Sequence, residues 1–335
     1  MDTLTHIAIG ACIGDAFAGK QLGRKAMLWG ALAQSMPDID FIAGAWQNPA
    51  NHLLAHRGFT HSFLFIFLVS PLFALLSERW HRKHDISIYK WILFWGVQML
   101  LHIFIDAFNM YGTGWFEPFS HYRVSFDSIF VADPFFSIGP VLAFLTLLVY
   151  RGHERVRKLI VIAGLSGFVF YLPYSINNKK NIDTTVKTLL AEQEVTYSRL
   201  YTTPTPLNNW LWYVVAESDS GYHIGYRSIF DNNHHIPLHY YPRNNALLKE
   251  YFHEDIQHLL RFSQGYYTVE KWHDTLVFND LRFGQILGWQ DSSARFVFHY
   301  FLREKADNDL VVQRGRFAKF NKEALTLLIK RTQGD

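Results

Sequence analysis

The chain has 335 residues, enough for about two domains by the usual relation between length and domain number. Its net charge of +3 is too small, and its basic residues are too dispersed, to indicate nucleic-acid binding. Cys12 is the only cysteine, which excludes an intramolecular disulfide and any zinc site built from several cysteines. Any metal ligands must therefore be histidine and carboxylate side chains.

Apolar segments dominate the first half of the chain. Two short helices are predicted at 4–18 and 24–35, which are partial spans or a hairpin held against the other helices. Four stretches without Asp, Glu, Lys or Arg then approach the roughly 20 residues that cross a bilayer. They cover residues 59–77, 91–105, 134–150 and 159–178. Residues 1–178 are therefore predicted to form a polytopic α-helical membrane domain of about six helices.

Basic loops orient this domain, because Lys and Arg near membrane helices favour the cytoplasmic side. The basic loops lie at 20–25, 79–90 and 151–158. If all three are cytoplasmic, the helices between them cross in pairs. The connections 36–59 and 111–133 then fall on the outer side.

Residues 179–335 have an ordinary density of charge and predict a small soluble α+β domain. Helices are expected at 182–200, 245–262 and 321–331. Aromatic and β-branched segments bounded by Gly, Asn and Asp predict strands of a mostly antiparallel sheet. They lie at 210–216, 222–230, 266–278 and 295–302. An even number of crossings would place this domain on the outer side.

Four groups of metal-type ligands lie in or beside the apolar segments, where an ionisable side chain is costly unless it has a partner or a function. They are Thr5-His6, residues 37–40 (Pro-Asp-Ile-Asp), residues 56–62 (His-Arg-Gly-Phe-Thr-His-Ser) and residues 102–106 (His-Ile-Phe-Ile-Asp). In the predicted topology all of them lie toward the outer side. This common level predicts a metal site embedded in the membrane.

His102 and Asp106 are four residues apart, so on a helix they share one face and can bind one ion or two neighbouring ions. The alternative is a hydrogen bond that packs two helices. Asp38 and Asp40 follow an apolar helix, where carboxylates are often caps. A two-metal phosphoesterase site, however, needs a bridging carboxylate, and Asp38 is the better candidate ligand.

His56 and His61 carry imidazoles, which are good ligands for zinc and other divalent transition metals. Arg57 between them could bind an anionic group of a substrate. The alternative for this segment is a set of interfacial polar residues. Asp127 and Asp133 flank an aromatic stretch, where they could complete a metal shell or serve as helix caps.

In this order and in apolar settings, the Thr-His, Pro-Asp-x-Asp, His-Arg-Gly-x-Thr-His-Ser and His-x-x-x-Asp motifs resemble the YdjM-type membrane-bound, metal-dependent hydrolases of bacteria. The similarity covers roughly residues 1–175, and the motif at 56–62 is its most specific part. Members with a Leu-Arg-Phe-Gly element in the tail, here at 281–284, look closest over the remainder. The resemblance implies a multi-pass protein of the bacterial cytoplasmic membrane. The basic loops predict that the site and the C-terminal domain lie on the extracytoplasmic side.

That family is distantly similar to zinc-dependent phospholipases C and fungal single-strand nucleases. The resemblance therefore implies a zinc-phospholipase-C-like helical core and about one to three divalent ions, with zinc as the first candidate. The ligands that it implies are His6, Asp38, His61, His102 and Asp106.

Those enzymes also use a His-x-x-x-Glu pair, a spacing that this sequence lacks. Either fewer metals bind here, or Asp127 and Asp133 replace the missing ligands.

The predicted function is hydrolysis of a phosphodiester or related ester of a lipid or lipid-linked substrate through metal-activated water. Arg57 would hold the anionic group, and Asp40 or Asp106 would be the general base. The predicted partner is the lipid bilayer and not nucleic acid. Two alternatives stay open: a metal-ion transporter or channel, since clustered His and Asp also mark ion pathways, and a non-catalytic membrane protein with a structural metal.

Overall fold

The computed structural model describes residues 1–45, 49–250, 254–273, 275–302 and 321–334. The chain divides into two compact units. The first contains Met1–Ala45 and Ala55–Ile176, and the second contains the described residues of Trp46–Leu54 and Asn177–Asp335. The first unit is helical, whereas the second contains two β-sheets.

The helices of the N-terminal half are long and apolar, apart from one short helix. They are α1 (Thr3–Leu22), α2 (Lys25–Ser35), α3 (Pro49–Ala55), α4 (Phe63–Trp80), α5 (Ile88–Asp106), α6 (Pro134–Val149) and α7 (Glu154–Glu192). Three of these, α4, α5 and α7, are long and apolar enough to cross a membrane, and α6 is apolar but shorter. Three of the four charge-free stretches predicted as spans thus coincide with α4, α5 and α7, and the fourth, 134–150, coincides with the shorter α6.

The outer surface of these helices is apolar. Phe67 on α4, Leu93 on α5 and Phe170 on α7 are 74%, 56% and 76% exposed. Soluble proteins rarely expose contiguous apolar surface of this kind, whereas lipid tails accommodate it. The first unit thus has the surface expected of a protein embedded in a bilayer.

Helices α1 and α2 form a tightly packed hairpin. A Cβ atom on Gly30 would lie 2.0 Å from the carbonyl oxygen of Gly10, and one on Gly14 would lie 2.2 Å from that of Ala26. Small residues allow this backbone approach, as they do at many helix crossings in membranes. Of the two possibilities considered from the sequence, partial spans or a hairpin, the structure forms the hairpin.

One face of α5 is polar and fully buried. Gln98, His102 and Asp106 recur every four residues, so they lie on the same side of the helix. Gln98 Nε2 donates to the carbonyl oxygen of Gly10 at 3.1 Å, which attaches α5 to α1. The polar face therefore points into the helical unit and away from its apolar exterior.

The second unit contains two antiparallel sheets, and neighbouring strands pair in chain order. One sheet has β1 (Arg199–Pro204), β2 (Leu211–Glu217), β3 (Gly221–Ser228) and β4 (His239–Pro242), and the other has β5 (Tyr267–Trp272), β6 (Thr275–Gln285) and β7 (Phe296–Leu302). The later part of α7 packs Ile182 and Val186 against Trp212 and Val214 of β2. Helix α8 (Glu254–Phe262) packs against the second sheet, and α9 (Lys322–Thr332) follows.

The strand predicted at 266–278 is a hairpin of β5 and β6 in the structure. Trp272 pairs with Thr275, and His273 has a positive φ of 53°, so the chain reverses within an uninterrupted β-rich sequence. The helix predicted at 182–200 is the end of α7, which stops at Glu192. Of the helix predicted at 245–262, residues 251–253 lie outside the described residues.

Replacing Gly30 with alanine should destabilise the protein by about 1–3 kcal/mol, because the added methyl group meets backbone atoms that cannot move aside. The matched control is Gly167→Ala on α7, where a Cβ atom has no neighbour within 4 Å among the described residues. Thermal unfolding in detergent should show a lower melting temperature for Gly30→Ala alone. Equal melting temperatures for the two variants would contradict the close packing of α1 and α2.

Candidate metal centre

Asp38, His61, His102 and Asp106 direct one ligand atom each into a common space, and these four atoms lie within 4.8 Å of one another. Asp38 comes from the 3₁₀ helix Pro37–Ala45 after α2, and His61 ends the short 3₁₀ turn before α4. His102 and Asp106 lie on α5. The side chain of Asp38 is 24% exposed, whereas the other three are fully buried.

Five of the six distances between the four ligand atoms match those of a tetrahedral metal site. His61 Nε2 lies 3.6 Å from Asp38 Oδ1 and 3.5 Å from Asp106 Oδ2. His102 Nε2 lies 3.5 and 3.4 Å from the same two oxygens and 3.3 Å from His61 Nε2. Four ligands at about 2.1 Å from a zinc ion in tetrahedral geometry are about 3.4 Å apart. The residues therefore fit a divalent ion of this size.

The imidazole rings of His61 and His102 are each oriented by a contact at Nδ1, the ring nitrogen that faces away from the ligand group. His102 Nδ1 lies 2.5 Å from the backbone carbonyl oxygen of Gln34, to which it donates. His61 Nδ1 lies 3.1 Å from Thr60 Oγ1 and 3.5 Å from Asp40 Oδ2. Histidines that bind metals usually have their second ring nitrogen bonded to a carbonyl or carboxylate, which fixes the tautomer and aims the other nitrogen at the ion. The Nδ1 contacts of His61 and His102 therefore direct both Nε2 atoms at the space where an ion would bind.

Asp40 lies behind His61 and outside the group of four. Its Oδ2 accepts hydrogen bonds from the backbone N–H of Arg57 at 2.8 Å and from Thr60 Oγ1 at 3.0 Å. Its Oδ1 lies 3.1 Å from His56 Nδ1. Burial alone would raise the pKa of Asp40, but hydrogen bonds with His56 and His61 outweigh burial and lower it. Asp40 is thus an ionised carboxylate that holds the 56–61 segment in place through hydrogen bonds.

Asp38 and His61 each favour the charged form of the other and so shift its pKa. Burial alone would raise the pKa of Asp38, but His102 and His61 outweigh it and lower the value. Burial would lower the pKa of His61, whereas contacts with Asp106, Asp38 and Asp40 raise it to about 10. At neutral pH the metal-free protein therefore pairs an ionised Asp38 with a protonated His61.

His6 lies beside the group, on the other oxygen of Asp106. Its Nε2 is 3.2 Å from Asp106 Oδ1, which the amino group of Met1 also contacts. The His6 ring stacks on that of His102 with centroids 3.8 Å apart, and its Nδ1 lies 3.4 Å from Gln34 Nε2. His6 and the group of four are therefore joined through the two oxygens of one carboxylate.

Arg57 is buried and held in an unusual conformation. Its φ of 59° is uncommon for a residue other than glycine and persists only where the surroundings enforce it. Its carbonyl oxygen accepts a hydrogen bond from the backbone N–H of Gly114 at 2.8 Å. Its guanidinium lies over the Tyr111 ring, with Nε 3.3 Å from Asp106 Oδ2 and Nη1 donating to Asn109 Oδ1 at 2.7 Å. The cationic group is thus fixed at the edge of the metal centre.

Three other residues predicted from the sequence lie outside the group of four. His56 bonds to Asp40, and its side chain is 34% exposed. Asp133 is the N-cap of α6 and accepts a hydrogen bond from Tyr171 Oη at 2.8 Å, so it has the capping role that was one of its two possibilities. Asp127 accepts a hydrogen bond from Ser125 Oγ.

The sequence analysis missed three residues that support the centre: Gln34, Thr60 and Asn109. Gln34 and Asn109 are fully buried, and each lies within about one helical turn of a predicted ligand along the chain. An amide side chain close to a ligand in an apolar setting was the available signal.

Comparisons with known proteins identify the family of the chain. A family model described as YdjM inner membrane protein matches residues 1–180, more than half of the chain. The chain belongs to the YdjM family. Inner membrane protein YbcI of Escherichia coli (strain K12) is 31% identical to it over 122 residues, which are 36% of this chain and 69% of YbcI.

The uncharacterized protein YfhP of Bacillus subtilis (strain 168) is 30% identical over 151 residues. The match covers 43% of this chain and 45% of YfhP, so the chain spans less than half of that relative. No solved structure matches the chain.

The YdjM match includes α1 to α6 and all four residues of the group. It confirms the resemblance predicted from the motifs. Together with the apolar helices it identifies a multi-pass protein of the bacterial inner membrane.

Metal analysis of the purified protein tests the centre directly. The wild type should carry a divalent ion near stoichiometry, whereas His102→Ala and Asp38→Ala should lose most of it, since each removes a ligand atom. His153→Ala, at an exposed histidine before α7, is the matched control and should retain the wild-type metal content. A wild type without stoichiometric metal under non-chelating conditions would remove the basis for the site.

Metal binding should release a proton. The pKa of His61 is raised from 6.5 to about 10, so below that pH the metal-free imidazole is protonated and must lose its proton to bind. The apparent zinc affinity should rise about tenfold per pH unit between about pH 7 and 9. Calorimetry in buffers of different ionisation enthalpy should detect about one released proton. A binding enthalpy independent of the buffer would contradict this.

Proposed function

We propose that the protein is a membrane-bound, metal-dependent hydrolase that cleaves a phosphodiester or related ester of a lipid or lipid-linked substrate. The supporting observation is the group of four ligand atoms, which lie within 4.8 Å of one another, beside the buried Arg57. A cation site next to a fixed guanidinium is suited to an anionic ester.

Asp38, His61, His102 and Asp106 would hold the ion, and zinc is the first candidate because the spacings suit tetrahedral nitrogen and oxygen ligands. When bound, such an ion supplies Lewis-acid catalysis and lowers the pKa of a water molecule. Asp38 is the ligand that solvent reaches, so water and substrate would enter on its side. A second ion would use His6 and the other carboxylate oxygen of Asp106, Oδ1, in place of the contact that the Met1 amino group makes with it.

Arg57 would bind the anionic group of the substrate, since a guanidinium matches two phosphate oxygens at once. Asp106 and Asp40 are the proposed general bases. Asp106 contacts the ligand atoms and Arg57 directly, whereas Asp40 is connected to the centre through the His61 imidazole. In that position Asp40 can also hold His61 in the orientation that its Nε2 requires.

A lipid substrate is supported by the level of the site along the candidate spans. Asp106 is the last residue of α5, about 24 Å along the helix from Lys90 at its basic end. Beyond α5, Phe119 and Tyr122 are 84% and 68% exposed, as is typical of aromatic side chains at a membrane interface. We place this end and the C-terminal domain on the extracytoplasmic side, since the basic loops belong at the other end.

One observation favours a second candidate, a non-catalytic membrane protein with a structural metal. Four protein ligands at tetrahedral spacing are typical of closed structural zinc sites. The exposure of Asp38 and the buried cation of Arg57 favour the hydrolase instead, because a purely structural ion needs neither. An ion pathway is less favoured because the group lies at one end of α5.

Release of a phosphorylated head group from phospholipids tests the proposal. Zinc-loaded wild type in lipid nanodiscs should turn over, and His61→Ala and His102→Ala should be slower by at least about a hundredfold, because each removes a metal ligand. His153→Ala should match the wild type. The hydrolase is contradicted if both ligand variants keep wild-type turnover. A metal-loaded wild type without turnover, whose melting temperature falls on chelation, would support the structural candidate.

A further inference from the structure

Asn109 lies three residues beyond Asp106 and is fully buried in the turn after α5. Its Oδ1 accepts two hydrogen bonds, from Arg57 Nη1 at 2.7 Å and from the backbone N–H of Tyr111 at 3.1 Å. Both partners can only donate, which fixes the orientation of the amide. The Nδ2 atom is therefore the end that faces away from them.

The Nδ2 donor has no hydrogen-bond partner among the residues that the structure describes. Buried donors of this kind are nearly always paired in folded proteins, because leaving one unpaired is unfavourable. The backbone carbonyl of Asn109 is engaged, since it accepts from Ser125 Oγ at 2.9 Å. The two N–H groups of Nδ2 are thus available to donate to a bound molecule.

This donor lies beside the guanidinium of Arg57. The two polar atoms of an amide share one carbon, so Nδ2 is at most about 5 Å from Arg57 Nη1. Arg57 Nε in turn is 3.3 Å from Asp106 Oδ2, one of the four ligand atoms. The amide donor, the cation and the metal ligands therefore follow one another within a single buried region.

We propose that Arg57 and Asn109 form an oxyanion subsite at the edge of the metal centre, in which Asn109 Nδ2 donates to an oxygen of a tetrahedral phosphate group. This rests on the proposed hydrolase function and specifies its substrate class. A guanidinium beside an amide donor favours an anionic group over a neutral ester. A carboxylate has only two oxygens, whereas a phosphate group can face the metal ligands, Arg57 and Asn109 at the same time.

The subsite is held rigidly in place. Arg57 is fixed by its backbone conformation at φ 59°, by the Tyr111 ring and by Asn109 Oδ1. Asn109 therefore has two tasks: its oxygen positions the guanidinium, and its nitrogen binds the substrate oxygen. Donors fixed before the ligand arrives bind it with less loss of conformational entropy.

Inorganic phosphate binding to the zinc-loaded, full-length protein in detergent, measured by calorimetry, tests the subsite. Asn109→Asp keeps an oxygen for Arg57 and the Tyr111 N–H but removes the donor. Asn109→Leu removes both without adding charge. Each variant should bind phosphate at least about tenfold more weakly than the wild type, as expected for a lost hydrogen bond to a charged group. Zinc content should stay at the wild-type level, because Asn109 supplies none of the four ligand atoms.

Wild-type phosphate affinity in Asn109→Asp would overturn the subsite and leave Asn109 only as a support for Arg57. Absence of phosphate binding to the zinc-loaded wild type would also overturn it, since the donor would then be satisfied by water. If Asn109→Leu fails to fold, Asn109→Asp still decides the question. The proposed function fails by a different result, namely phosphate binding with the expected variant effects but no turnover of any ester.

Discussion

Burial of the Asp106 carboxylate at the end of an apolar helix is the constraint on which the helical unit depends. An isolated charge in such a place is unfavourable by several kcal/mol, so it must be surrounded by partners. Its Oδ2 lies 3.3 to 3.5 Å from Arg57, His61 and His102, and its Oδ1 faces His6. One carboxylate thus joins α1, α5 and the segment that precedes α4.

The helix packing brings these partners within reach of one another. Close approach of α1 and α2 through glycine places the end of α2 beside α5, where the Gln34 carbonyl accepts from His102. Beyond α2, Asp38 meets the two imidazoles and Asp40 anchors the segment that carries His61. The distances between the ligand atoms are therefore set by backbone contacts several residues away from the ligands.

The polar groups around the centre are held in place by hydrogen bonds and ion pairs with further polar groups. The Gln34 carbonyl orients His102, the Asp40 carboxylate orients His61, and the Asn109 amide orients Arg57. In a region of low dielectric such paired groups stay fixed. The four ligand atoms and the unpartnered Asn109 Nδ2 donor both lie beside the Arg57 guanidinium.

The sequence by itself determined the kinds of ligand, the apolar helices and the change to an α+β tail, because these follow from composition and local periodicity. The pairing of His102 with Asp106 also followed, since four residues on a helix always share a face. Tertiary structure alone decided which residues from irregular segments join them. It brought His61 rather than His56 into the group, because side chains in turns follow no period and are aimed by distant hydrogen bonds. The position of Asn109 near Asp106 was visible in the sequence, but the role of its amide depends on the position of Arg57, which only the tertiary structure gives.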